Sequence, residues 1–289
     1  MVVIPYLLVV FVGLWVGWVA NIVAQRLPSK NLDKPLFGPL HCVRSGERLR
    51  WYDTLPIFGY LSQRGVCRYC KKRLPLRFPL LETAMALSFA LTWSLYEKQP
   101  ITYGFNIFYI SVLITIGVID WKHRLIFPVM LYLTGLVAIV ASLVTGSHPD
   151  NLMPDGLGSS LLGAAFGGVV FYLIYWLALA IYRIRALGYG DVLLAIMIGL
   201  VLGFPRTASA LFMGAILGGF VALAYLLVRR KKRRDFIPYG TTLCLGVVLI
   251  LMFGDTVWRW GPFLYVADLL NLLFTIVFKL INQLFGNYV

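Results

Sequence analysis

The sequence predicts an all-α integral membrane protein. Eight transmembrane helices are expected, with a small cytoplasmic domain between helices one and two and a C-terminal interfacial helix. Three observations carry this. The 289-residue chain is 60% hydrophobic and only 13% charged, with mean hydropathy +0.82, whereas a soluble domain is about 45–50% apolar and about 25% charged. Its charges are segregated, leaving long uncharged stretches. Its basic residues alternate between rich and poor segments along the chain, as the positive-inside rule requires of cytoplasmic and external loops. A soluble enzyme is thereby excluded. Four cysteines in this length are too few for a disulfide scaffold.

The elements follow from the uncharged stretches: 1–25, 83–96, 99–119, 125–149, 156–182, 192–205, 207–228 and 236–254. A span needs about 20 apolar residues, fewer where flanking groups snorkel, so the two 14-residue windows are completed by their polar flanks. Met1–Ala24 has neither a basic start nor a small-residue cleavage site and reads as a retained first helix. With the N-terminus outside, Lys and Arg number twelve in 25–80, two in 120–124, two in 183–191 and six in 229–235, leaving only Lys98, Arg206, Arg259 and Lys279 outside. The net charge of +14 is therefore an orientation signal, and no nucleic-acid partner is expected. The run Arg229–Arg234 suits anionic lipid at a helix end.

Residues 25–80 form a polar cytoplasmic segment too small for a generous core. Residues 81–257 carry the remaining helices. In 258–289, Asp268, Asn271, Thr275, Lys279 and Asn282 draw one polar stripe on an apolar helix, the pattern of an interfacial helix; a ninth span is the competing reading.

Acids at membrane depth are costly and point to function. Asp120 closes the third helix and Asp191 opens the sixth, in Gly188-Tyr189-Gly190-Asp191, so alternation sets both at the inner border. Asp191 after a glycine turn is a favourable helix cap. Asp120 opposes the dipole at a helix C-terminus, with Lys122 or Arg124 as its structural excuse. A carboxylate pair suits peptide hydrolysis, since close like charges share one proton and split into a base and an acid. The helix ends favour Asp191 as the ionised member and Asp120 as the proton holder.

The Gly-Tyr-Gly-Asp motif with an earlier aspartate resembles the GxGD membrane aspartyl proteases. The remaining motifs narrow the resemblance to the bacterial type IV prepilin peptidases. They are Gly17-Trp18-Val19-Ala20-Asn21 with Arg26-Leu27-Pro28, Arg50-Trp51-Tyr52-Asp53-Thr54-Leu55-Pro56, Arg64-Gly65-Val66-Cys67-Arg68-Tyr69-Cys70, Arg77-Phe78-Pro79-Leu80-Leu81-Glu82 and Ile237-Pro238-Tyr239-Gly240. The resemblance implies eight membrane helices in the bacterial inner membrane and a catalytic pair, Asp120 and Asp191, on the cytoplasmic side. It implies cleavage of the leader from type IV prepilins or pseudopilins, with no cofactor needed for proteolysis. Full-length members also resemble N-methyltransferases, which use S-adenosylmethionine, and a methylation role for Glu82 is implied in this way alone. Two positions depart from the family pattern beside these motifs: Thr54 replaces an Asn, and Leu193 stands where a Lys often follows the second aspartate.

The family commonly carries two C-x-x-C pairs, a zinc spacing. Here the first reads Cys42-Val43-Arg44-Ser45 and the second Cys67-Arg68-Tyr69-Cys70. Cys42, Cys67 and Cys70 can hold zinc with His41 or water as fourth ligand, or be reduced thiols in a small core. Cys244 reads as packing, His123 and His148 as solvated loop residues, and Asn21 as a hydrogen bond to another helix. Three alternatives stand beside the bifunctional reading: a peptidase without methylation, a proton-coupled transporter using its membrane acids, and an inactive scaffold. A transporter would place its acids near the midplane.

Overall fold

The computed structural model describes residues 3–28, 42, 45–145, 156–182, 188–204, 206–229 and 239–258. Every one of the eight uncharged windows holds a long helix. These are α1 (Val3–Arg26), α3 (Arg77–Tyr96), α4 (Pro100–His123), α5 (Pro128–Thr145), α6 (Gly156–Tyr182), α7 (Tyr189–Leu202), α8 (Arg206–Arg229) and α9 (Tyr239–Trp258). A 3-10 turn (Trp51–Thr54) and the short helix α2 (Phe58–Ser62) lie between α1 and α3. Among the described residues there is no strand, only isolated bridge positions at Arg48, Val66 and Arg73. The expected all-α class holds.

Six helices are long and apolar enough to cross a membrane, and α7 and the straight part of α9 are shorter apolar helices. At 14 residues, α7 extends about 21 Å, less than the roughly 30 Å of a hydrocarbon core. Gly203, at φ +68, accounts for its end: the left-handed backbone there breaks the helix. The expected C-terminal interfacial helix, His41, His148 and most of Arg229–Arg234 lie outside the described residues.

The chain forms two compact units, Met1–Leu125 and Ile126–Val289. In the first, α1 packs on α3 backbone to backbone. A Cβ on Gly13 would lie 2.7 Å from Ala86 Cα, and one on Gly17 2.7 Å from Glu82 Cα. Small residues admit such an approach where lipid supplies no hydrophobic drive between helices. Ala20, Leu81, Met85 and Phe89 form the core, with Ile107, Ile114 and Val118 of α4 packed against it. Ile4, Leu7, Leu8 and Phe11 stay exposed, as a lipid-facing helix surface requires.

The second unit also relies on small residues. A Cβ on Gly199 of α7 would fall 2.3 Å from the Gly163 backbone of α6. Ser159 ties the start of α6 to the segment after α7: its hydroxyl donates to Phe204 O at 2.9 Å, and Phe204 N–H donates back to Ser159 O at 3.0 Å.

Candidate active site

Asp120 lies in the last turn of α4, is buried, and belongs to the first unit. The turn is closed by Arg124 in the left-handed conformation (φ 56), whose N–H donates to Asp120 O at 2.8 Å. Lys122 and Arg124 are exposed.

Asp191 belongs to the second unit and is half-buried. Gly188, not Asp191, is the N-cap residue of α7; Asp191 is the third helical residue. Its Oδ2 accepts a hydrogen bond from Gly188 N–H at 3.0 Å, while its own N–H donates to Gly188 O at 3.0 Å. The carboxylate therefore sits beside the positive end of the α7 dipole. Gly190 packs against Ile126, where a Cβ would come to 3.1 Å from the Ile126 side chain.

A cavity of about 350 Å³ opens within the first unit, lined by Trp18, Asn21, Asp53, Tyr60, Phe78 and Glu82 among others. Asn21 bonds to another helix, as expected: Nδ2 donates to Phe78 O and to Glu82 Oε1, each at 3.1 Å. Glu82 Oε2 accepts from Ile57 N–H at 2.7 Å, and Ile57 is held at φ 56, a left-handed conformation rare for a β-branched residue. Glu82 is buried. It thus joins α1, α3 and the turn before α2. Below this turn, Gly59 stacks so closely on Asp53 that a Cβ would lie 2.4 Å from Asp53 O. Gln63 Nε2 donates to that same carbonyl at 3.1 Å.

The cysteines come together as their spacing predicts. Cys42, Cys67 and Cys70 place their sulfurs within 4.8 Å of one another. Cys42 and Cys67 are buried, and neither they nor Cys70 form a disulfide. The Cys42 and Cys67 sulfurs are 3.8 Å apart, and ligands about 2.3 Å from a tetrahedral zinc stand about 3.8 Å apart. The two turns repeat one pattern. Cys42 N–H donates to Glu47 O and Gly46 N–H to Cys42 O; Cys67 N–H donates to Lys72 O and Lys71 N–H to Cys67 O. Gly46 and Lys71 both have positive φ, 72 and 54. Ser45 is therefore the counterpart of Cys70, and it is exposed. Burial pushes the Cys67 thiol up from its ordinary value, while the backbone N–H groups of Cys70 and Tyr69 pull it back. Such N–H groups also stabilise a metal-bound thiolate. Three thiols in this geometry fit a zinc ion with one open corner.

Comparison with known proteins assigns the chain. The model of the bacterial peptidase A24 N-terminal domain matches residues 11–96, and that of the type IV leader peptidase family matches 107–223. The chain belongs to the type IV leader peptidase family. The leader peptidase match includes both Asp120 and Asp191. Curated relatives agree along most of the length. A prepilin leader peptidase/N-methyltransferase of Pseudomonas putida is 26% identical over 274 residues, covering 85% of this chain and 90% of its own. Proteins of the same name from Pseudomonas aeruginosa and Aeromonas hydrophila are 26% and 24% identical, each covered over more than nine-tenths of its length. No solved structure matches the chain. Six helices able to cross a membrane and membership in the leader peptidase family make this a multi-pass membrane protein.

Sequence reasoning did not single out Asp53, whose side chain the structure buries beside the cavity. An acid in the stretch Trp51-Tyr52-Asp53-Thr54, within a segment dominated by Lys and Arg, was the available signal.

Proposed function

We propose that the protein is a membrane-embedded aspartic endopeptidase that removes the leader of type IV prepilins or pseudopilins and N-methylates the new N-terminal residue. The observation that carries this is the leader peptidase match over 107–223, whose span holds both helix-end aspartates. In this reading eight helices cross the bacterial inner membrane, α7 and α9 included, with 25–80 and both aspartates on the cytoplasmic side.

Asp191, beside the α7 N-terminus, is the ionised member of the pair and Asp120 holds the shared proton. Asp191 takes a proton from water as the oxygen attacks the scissile carbonyl carbon. Asp120 donates a hydrogen bond to the carbonyl oxygen. Collapse of the tetrahedral intermediate breaks the C–N bond, and a proton from the pair passes to the departing amine. The flanking Gly188 and Gly190 leave room for an extended substrate backbone. Leu193 offers no cation to this step, so charge control rests on the pair and the helix ends.

Methylation is proposed for the first unit because its cavity and cysteine turns lie within the N-terminal domain match. S-adenosylmethionine, when bound, supplies a methyl group on a sulfonium, and the new amine displaces it from sulfur. Glu82 lines the cavity, but both its oxygens already accept protein donors, so its role there is to shape the site. Cys42, Cys67 and Cys70 would hold a structural zinc that closes the segment between α1 and α3.

Co-expression with a prepilin substrate tests the reading. Wild type trims the leader and adds one methyl to the mature N-terminus, seen by mass spectrometry. Trimming at the wild-type rate by Asp120→Asn or Asp191→Asn would overturn the catalytic assignment, and an unmethylated product would reduce the protein to a peptidase.

A further inference from the structure

The short helix α2 leaves bulky apolar side chains uncovered at an unusual height in the first unit. It is little more than a single turn, and its two faces differ. Gly59 is buried against Asp53, and Gln63 Nε2 donates to Asp53 O at 3.1 Å and to Gly59 O at 3.0 Å. With that face fastened, Phe58 and Leu61, three residues apart on the other side of the turn, point outward and are 70% and 61% exposed.

Helix register gives the height. α1 and α3 run antiparallel, with Gly13 against Ala86 and Gly17 against Glu82, so the end of α1 and the start of α3 lie on one side. Both are long and apolar enough to cross a membrane. Glu82 stands five residues inside the start of α3, and Asn21, which donates to its Oε1, stands five inside the end of α1. At about 1.5 Å per residue the carboxylate lies about 7 Å inside the helix ends. Ile57 N–H donates to that same carboxylate at 2.7 Å, which brings the start of α2 to this depth. Trp15 and Trp18 of α1, edge to face at 5.4 Å, flank the Gly17 level, and tryptophan is enriched where a helix meets the membrane–water boundary. The charge around the turn is of one sign. Between residues 54 and 81 there is no acid, and Arg64, Arg68, Lys71, Lys72, Arg73 and Arg77 are all exposed.

We propose that α2 is a membrane-contacting element: Phe58 and Leu61 enter the bilayer interface beside α1 and α3, and the surrounding cations meet lipid phosphates. Bulky apolar groups under a basic rim are the pattern of interfacial anchors, which sink about 5–10 Å into the headgroup boundary, the depth that the Glu82 carboxylate sets here. A protein partner would have to displace lipid to reach a surface at this height. The segment between α1 and α3 is thus tied down onto the membrane instead of standing free in the cytoplasm. The inference rests on α1 and α3 crossing the bilayer and is independent of the peptidase and methylation readings.

The test is the depth of a fluorescent amino acid placed at Phe58, Leu61 or Glu47 in the full chain, held alone in nanodiscs of phosphatidylcholine and phosphatidylglycerol. Glu47 is exposed on the Cys42 turn and serves as the aqueous reference. Lipid brominated near the headgroup end of its acyl chains is expected to quench positions 58 and 61 several-fold more strongly than position 47, and aqueous iodide to show the reverse order. Photolabelling of the unsubstituted protein by a diazirine phospholipid keeps the inference testable should a labelled chain fail to fold. The tryptic peptide 51–64 should then carry lipid adducts at Phe58 and Leu61. Iodide reaching 58 and 61 as freely as 47 without bromolipid quenching, or a 51–64 peptide free of adducts, overturns the proposal. So does shielding of Phe58 that develops only when a prepilin is added, which would make α2 a protein-docking face.

Discussion

Glu82 and Asp191 both lie near the start of an apolar helix and both accept a backbone N–H, yet they are held in opposite ways. Glu82, in the first unit, is buried and takes donors from two other elements, Asn21 of α1 and Ile57 before α2. Asp191, in the second, is half-exposed and accepts from Gly188 of its own helix start. The difference separates architecture from chemistry. A buried carboxylate held by donors from two other elements cross-links the fold. One anchored locally at a helix N-terminus stays half-exposed between Gly188 and Gly190.

The largest expected effect exploits the chemical side of this contrast. Asp191→Asn lowers leader cleavage by about a thousandfold or more, as removal of a catalytic carboxylate does. Its thermal midpoint should hold, because the amide oxygen still accepts from Gly188. A large fall in stability instead would make Asp191 a second Glu82. The reverse pattern belongs to Glu82→Ala, which strands the Ile57 N–H and the Asn21 amide at a cost of about 1–3 kcal/mol for each buried group. Chemical unfolding reads that loss. Glu82→Gln recovers part of it, since its remaining oxygen accepts one of the two donors.

Helix contact in the second unit gives a control for stability without polar groups. Gly199→Ala puts a Cβ into the Gly163 backbone, and forcing that crossing apart costs about 1–3 kcal/mol; a neutral result would show that α6 and α7 separate freely. A smaller effect tests the paired cysteine turns. Ser45→Cys supplies the fourth thiolate at the position matching Cys70 and raises zinc affinity about tenfold, measured by competition with a chromogenic chelator. No gain would mean that the fourth corner is filled from elsewhere.

Much of the fold was legible because charge is forbidden in lipid. Each of the eight uncharged windows holds a helix among the described residues, for the membrane leaves that one open-chain solution to backbone hydrogen bonding. The cysteine cluster was legible from its spacing, and the interhelical role of Asn21 from the cost of an amide among apolar residues. The length of α7 was less legible, since an uncharged window does not show where Gly203 turns left-handed. Asp53 and the Glu82–Ile57 bond were hidden for a different reason. They depend on contacts 16 and 25 residues apart in sequence, Tyr69 to Asp53 and Ile57 to Glu82, inside a segment with no periodicity to read. The equivalence of Ser45 and Cys70 was legible from the C-x-x-C spacing, and the matching backbone bonds of the two turns bear it out.

The central claim is that Asp120 and Asp191 act as one catalytic unit although they belong to different compact units. Its most direct test is the initial rate of prepilin leader cleavage by Asp120→Asn, Asp191→Asn and the double variant in one detergent preparation. Members of a single unit are strongly non-additive, so each single variant is predicted to fall as far as the double one. A single variant that retains the wild-type rate, or losses that multiply in the double variant, would contradict it.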